Sequence, residues 1–401
     1  MKTSNAARSR AQRLLELADV RLDGDRPWDI QIHNDAFFAR VLVQGSLGLG
    51  ESYMDGWWDC ESLDQFFCRI LRAELDTKVG SWPGLFEGLK ARFVNLQTPS
   101  RAFLIGKHHY DIGNDLYKCM LGERLIYSCG FWEHASSLDE AQEAKLELVC
   151  RKLDLQPGML VLDIGCGWGG TARYAAERYH VEVLGITVSE EQAAFARQIC
   201  HGLPIQIRYQ DYRSLEGTFD RILGVGMFEH VGSKNYATFM GVVRRCLKED
   251  GLFLLHTIGV QQATARCDPW IARYIFPNSK LPSAREICTA VEGRFVMEDW
   301  QNLGAHYDRT LMHWFHNFQE NWSSLRDGYD ERFFRMWEYY LLSCAGAFRA
   351  RANQLWQIVL SPRGVPGGYR IARDWRRDLS QEAEGMGHEE IPFSMRGSSR
   401  G

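Results

Sequence analysis

The chain has no apolar run near the roughly 18 residues of a membrane-spanning helix, so any contact with a bilayer is expected to be peripheral. Its eleven cysteines include no C-x-x-C pair. With no signal-peptide pattern at the start, they read as reduced, mostly buried thiols of a cytoplasmic protein, without a disulfide framework. The cysteines and histidines show no metal-ligand spacing, so no metal is expected. Charge of one sign is also scarce. A net charge of -4 over 401 residues excludes a general binder of polyanions, and nucleic acid is not an expected partner. The length suffices for a large core and a second domain.

What the chain does have is a glycine loop. Residues 161–170 (VLDIGCGWGG) join an apolar run, an acidic residue and spaced glycines to a helix-like stretch, 171–176 (TARYAA). Strand, tight turn and helix let a backbone approach a ligand closely. Gly165, Gly167 and Gly170 satisfy G-x-G-x-x-G, a weak signal for a dinucleotide when it stands alone. Two details favour S-adenosylmethionine. Asp163 lies inside the motif, where a carboxylate suits the methionine ammonium and repels a pyrophosphate. The second strand, 181–187 (VEVLGIT), ends on Thr187, where a nicotinamide site expects an acid for the ribose. A glycine turn serving packing alone is the bland alternative.

The chain then alternates. Residues 189–200 (SEEQAAFARQIC) predict a helix capped by Ser189. Residues 205–209 and 219–227 predict strands, and 235–247 a helix stopped by Gly251. Residues 252–257 (LFLLHT) predict a fifth strand. This pattern predicts an α/β fold, a parallel Rossmann-like sheet with helices on both faces. Asp163, Thr187, Asp211, Glu229 and His256 all fall at or just past predicted strand ends, where such sheets bind ligands.

Residues 265–292 and 308–352 read as helical insertions rich in Trp, Tyr and Phe, with late strands at 295–300 and 355–360. Packing and an apolar pocket for a long hydrocarbon are both open readings of them. Residues 1–90 are expected to form a smaller N-terminal domain associated with lipid, followed by a linker at 91–106, a catalytic domain at 107–372 and a disordered tail at 373–401. Within the first region Trp82, Leu85, Phe86, Leu89, Phe93 and Leu96 recur at helical spacing beside Lys90 and Arg92. Such a stripe suits a membrane surface or simple packing.

Further stretches stand out: 126–132 (IYSCGFW), 226–232 (GMFEHVG), 255–259 (LHTIG), 109–115 (HYDIGND), 210–213 (QDYR) and 304–308 (GAHYD). Together with the glycine loop and 45–58 (GSLGLGESYMDGWW), they make the chain resemble the cyclopropane-fatty-acyl-phospholipid synthases over almost its whole length. The resemblance implies methyl transfer from S-adenosylmethionine to a cis double bond of a phospholipid acyl chain. A carbocation follows, and the new methyl loses a proton as the ring closes. Water would quench the cation, so the site must be dry and lined with electron-rich rings.

The base implied is a bound bicarbonate, held by Cys129, Glu229, His256, Ile258 and Tyr307. Ile258 can offer only backbone groups. The implied cofactor contacts are Tyr127, Ser128, Asp163, Gly165, Gly167, Thr187, Gln192 and Asp211. The expected partner is the unsaturated bilayer surface at the inner face of the membrane, and the resemblance also implies a homodimer. Three alternatives stay open: a fatty-acyl methyltransferase that closes no ring, a non-catalytic lipid-binding relative, and a small-molecule methyltransferase.

Overall fold

Alternation of apolar strands with capped helices produces the layered structure the sequence predicts. The computed structural model describes residues 2–75, 113–264 and 267–370. The apolar stripe at 82–96, the expected linker, residues 109–112 and the tail from 373 lie outside them.

Elements are numbered over the described residues. The central sheet comprises β3 (Leu160–Ile164), β4 (Glu182–Thr187), β5 (Ile205–Tyr209), β6 (Phe219–Val225), β7 (Leu247–Val260), β8 (Val296–Asn302) and β9 (Asn353–Ser361). Its order is β5-β4-β3-β6-β7-β9-β8. The strands from β5 to β7 pair in parallel, and β9 runs antiparallel to both β7 and β8. Residues 161–164 of β3 are all buried, as expected of a strand covered on both faces. Chain order reverses at β3, with β4 on one side and β6 on the other. A crevice at the carboxyl ends is the geometric consequence.

After α5 (Asn114–Leu121) come three helices at that end of the sheet: α6 (Leu138–Lys152), α7 (Gly170–Tyr179) and α8 (Glu190–Ile199). Ser189 caps α8 by accepting from the Gln192 N–H, and Ser137 caps α6 by accepting from the Glu140 N–H. The next helix, α9 (Tyr236–Cys246), departs from expectation. Gly251 does not stop it. The chain enters β7 at Leu247, and residues 248–251 form a bulge between the pairs Phe219–Leu247 and Arg221–Leu252. A Cβ on Gly251 would lie 2.6 Å from Leu247 and 2.9 Å from the Asp220 carbonyl. The glycine therefore serves close approach.

The aromatic stretches form α10 (Pro269–Tyr274), α11 (Ala284–Val291), α12 (Gly304–Leu325) and α13 (Glu331–Arg349). On α12 Tyr307, Thr310, Leu311, Trp314 and Phe318 are buried at helical spacing. Residues 2–75 form α1 (Lys2–Glu16), α2 (Ala36–Gln44), α3 (Ser46–Met54), α4 (Leu63–Arg72) and a two-residue ladder of β1 (Gln31–Ile32) with β2 (Trp58–Asp59). Their core is continuous with that of the aromatic helices: Trp58, Phe66 and Phe67 share one buried cluster with Trp314, Trp337 and Tyr339. Tyr53 donates to Glu338 at 2.6 Å, and Arg335 donates to the Trp58 carbonyl at 2.9 Å. The glycine-rich α3 is helical because its glycines face neighbours. A Cβ on Gly50 would lie 2.4 Å from the Trp270 ring. The described residues up to Tyr369 make one compact unit.

Candidate active site

The glycine loop turns from β3 into α7 with Gly165 at φ +88° and Gly167 at φ +53°, conformations that L side chains rarely adopt. A Cβ on Gly165 would strike Met227 at 2.9 Å, whereas one on Gly167 would meet nothing within 4 Å. Gly167 thus faces open space. That space is a cavity lined by all eight residues expected to contact the cofactor: Tyr127, Ser128, Asp163, Gly165, Gly167, Thr187, Gln192 and Asp211.

Their polar groups are not equally available. Thr187 donates to Gln192 Oε1 at 2.9 Å. Asp211 caps the following turn, accepting from the Arg213 N–H at 2.8 Å and pairing with the Arg213 guanidinium at 2.7 Å. Asp163 is different. It is buried, and its Oδ2 has no hydrogen-bond partner among the described residues. A buried carboxylate oxygen without a partner is costly, and a ligand ammonium would satisfy it. Desolvation pushes the Asp163 carboxyl up and nearby Lys145 opposes this. The open cradle at Gly167 and the unsatisfied Asp163 fit the methionine end of S-adenosylmethionine.

The five expected catalytic residues do not line that cavity. Cys129, Glu229, His256 and Tyr307 are buried and Ile258 is half-buried, on elements that converge from three directions. Cys129 lies in the 126–132 segment, which Thr310 of α12 pins by accepting from Gly130 N at 3.1 Å and Trp132 Nε1 at 2.8 Å. Burial pushes the Cys129 thiol up to about 12, so it stays neutral. Tyr307 sits on α12, its ring 5.9 Å from Trp314 and 4.6 Å from Phe348. Burial, then the neighbouring Cys129, Tyr127 and Glu229, hold its hydroxyl well above the usual phenol range.

Glu229 follows β6 in a short turn, Phe228–His230. Its Oε1 accepts from the Ile258 N–H at 2.7 Å, while Oε2 is buried without a partner among the described residues. Desolvation raises this carboxyl to about 7, against the pull of the Ile258 N–H. The Ile258 amide is therefore engaged in holding Glu229. His256 is not at the end of its strand but well inside β7, opposite Val225, the last residue of β6. Gln357 Nε2 lies 3.2 Å from His256 Nδ1. The other ring nitrogen, Nε2, is buried and has no partner among the described residues. Burial keeps the imidazole neutral. Two unsatisfied groups, one carboxylate oxygen and one imidazole nitrogen, are suited to a small anion that can both donate and accept.

Around Tyr127 the rings close in: Trp314 at 5.2 Å, Tyr117 at 5.3 Å, and the Tyr340 hydroxyl 2.8 Å from that of Tyr127. Sequence reasoning overlooked four residues here. Thr310 and Gln357 position Cys129 and His256, and His230 lines the cavity with a buried, unpartnered Nδ1 among the described residues. The fourth is Lys145, which donates to Ser128 Oγ at 3.1 Å. Its signal was present: it falls four residues from both Ala141 and Val149, in the buried register of α6.

Residues 97–358 match the family model described as mycolic acid cyclopropane synthetase. Over 367 residues the chain is 54% identical to the cyclopropane-fatty-acyl-phospholipid synthase of Escherichia coli strain K12, covering 90% of this chain and 95% of that one. A solved cyclopropane synthase of Mycobacterium tuberculosis is 32% identical with a TM-score of 0.62, covering 67% of this chain and 99% of that one. A mycolic acid cyclopropane synthase crystallised with SAH and CTAB gives a TM-score of 0.60 at 32% identity, covering 64% of this chain and 97% of that one.

Proposed function

The chain belongs to the cyclopropane synthetase family of S-adenosylmethionine-dependent enzymes, and from that premise we propose that it methylates a cis double bond in a phospholipid acyl chain and closes a cyclopropane ring there. When bound, S-adenosylmethionine supplies an electrophilic methyl group and bicarbonate supplies a base. The residues of the chain do the rest. Asp163 and the glycine loop orient the cofactor toward the Tyr127 side of its cavity. Tyr307, Trp314 and Tyr127 present ring faces to the positive charge that develops on the acyl chain and keep water away from it. Glu229 Oε2 and His256 Nε2 hold the anion, Cys129 and Tyr307 border it, and Ile258 N–H fixes Glu229. An anion held by these residues would stand as the base for the proton whose loss closes the ring.

The observation that carries this reading is the pair of buried, unsatisfied atoms on Glu229 and His256 beside a cavity built for the methyl donor. Among the described residues no helix is long and apolar enough to cross a membrane. Action from the cytoplasmic side, on the inner face of the bilayer and as a peripheral homodimer, belongs to the same proposal. Incubation with unsaturated phospholipid vesicles and S-adenosylmethionine, followed by acyl-chain analysis, tests it. Chains that gain one carbon and the upfield proton resonances of a cyclopropane are expected. Chains left unchanged would overturn it.

A further inference from the structure

Lys145 has no role in the chemistry described so far, and it is placed where an idle lysine is hard to explain. Its side chain is fully buried, at 0% exposure. Lysine is almost never fully buried unless paired, yet among the described residues no carboxylate lies within ion-pair distance of it. The hydrogen bond its Nζ makes is to a neutral group, Ser128 Oγ at 3.1 Å. Ser128 lines the cofactor cavity.

The other neighbour is Asp163. Val161 and Asp163 point to the same face of β3, two residues apart. Val161 packs on that face with Leu146, Val149 and Cys150 of α6. Asp163 therefore lies beneath the turn of α6 that carries Lys145. The two groups act on each other. Lys145 is the charge that opposes the effect of burial on Asp163, and Asp163 is the carboxylate that opposes it on Lys145. Together they form a buried cation and a buried anion at the wall of the cavity, and the unsatisfied Asp163 Oδ2 is still free for a ligand.

We propose that Lys145 is a positioning residue of the cofactor cavity: from behind the wall its ammonium fixes the Ser128 hydroxyl and balances Asp163, so that the carboxylate meets the cofactor's amino group ionised. This rests on the reading of the cavity as the S-adenosylmethionine site. Other titratable groups facing the pair stay uncharged across the neutral range. Burial holds Cys129 up to about 12, Cys200 up to about 11, and Cys166 and Cys150 above their usual values. It keeps His256, on β7, neutral. Lys152, farther along α6, is paired with Asp299 at 3.0 Å. Charge changes in this layer near pH 7 are therefore those of Lys145 and Asp163.

Calorimetry with S-adenosylhomocysteine between pH 6.5 and 9 tests the proposal. Burial pulls the Lys145 ammonium down to about 7, so the parent should bind best near pH 6.5 and weaken toward pH 9 as that charge and the ligand's own ammonium are lost. Lys145→Met should bind about tenfold or more weakly at pH 7, the scale of a hydrogen bond to a charged group. That loss should shrink toward pH 9, as Asp163 ionises without its counter-charge. Lys145→Gln, which keeps a donor but no charge, should behave like the methionine variant. In an Asp163→Asn background, Lys145→Met should cost only the smaller share that rests on Ser128. A folded Lys145→Met with the parent's affinity throughout would overturn the proposal alone, as would a loss that is equal at every pH and persists in full in the Asn background. A parent that fails to bind the ligand would overturn the cavity reading with it. Should neither lysine variant fold, the parent decides: binding at pH 6.5, where Lys145 is protonated, in buffers of different ionisation enthalpy should exchange no proton, and release of about one would contradict an ionised Asp163.

Discussion

Burial governs Glu229 as it governs Asp163. The Glu229 carboxyl is raised from the ordinary 4.5 to about 7, one oxygen bound to Ile258 N–H and the other unsatisfied. Glu229→Gln should leave S-adenosylhomocysteine affinity intact and cut turnover by about 10²–10⁴-fold, the span of a general-base contribution. Full turnover in bicarbonate buffer would contradict the role. The same shift makes a stability prediction. A folded-state pKa above the unfolded one means that the folded chain binds the proton more tightly between about pH 4.5 and 7. The stabilisation is full below about pH 4.5 and lost as pH climbs through 7. Glutamine carries no such penalty, so the melting temperature of the variant relative to the parent should rise from pH 5 to pH 8. A difference independent of pH would rule out the buried, titrating carboxyl. That Asp163, Gly165, Gly167 and Thr187 line one cavity was legible because they stand at strand-to-helix turns, whereas Tyr127 and Ser128 came only from the resemblance. Gln357 and Thr310 were not, because each acts on a residue far away in sequence, through contacts that only the packed helices and sheet create; Lys145 had its place in the buried register of α6 as a signal, but its bond to Ser128 did not show.

At the scale of elements, caps and periodicity carried most of the reading. Ser189 before α8 and the apolar strands β3 to β6 fell where local chemistry put them. The end of α9 did not, because Gly251 is read locally as a stop and is required tertiarily, under the Asp220 carbonyl. Gly346 has the same character inside α13. A Cβ there would lie 2.6 Å from the Asp64 carbonyl and 2.6 Å from Phe67 of α4. Alanine raises helix propensity at this position, yet the clash should win. Gly346→Ala should lower the unfolding free energy by about 1–3 kcal/mol, the usual cost of overpacking, read as a fall in the urea midpoint at unchanged slope. An unchanged or higher midpoint would mean that α4 and α13 are not in contact at that point.

Across the whole molecule, the described part of the N-terminal region and the aromatic helices share a core, with Trp58 and Phe67 on one side and Trp337 and Tyr339 on the other. Composition could announce aromatic insertions but not which surface they cover, since a Trp stripe reads alike against a lipid chain and against another helix. The structure settles the packing half: α12 and α13 bury their rings and bring Tyr307 and Trp314 toward the cofactor side. The central claim, that a base held by Glu229 and His256 takes a proton from the newly transferred methyl, is open to one direct measurement. Unsaturated phospholipid vesicles are incubated with trideuteromethyl S-adenosylmethionine, and the acyl products are analysed by mass and by proton resonance. Ring closure removes one deuteron from the transferred methyl, so products carrying two deuterons and cyclopropane resonances are predicted. Products that retain all three deuterons, with the proton lost from the acyl chain instead, would contradict the account.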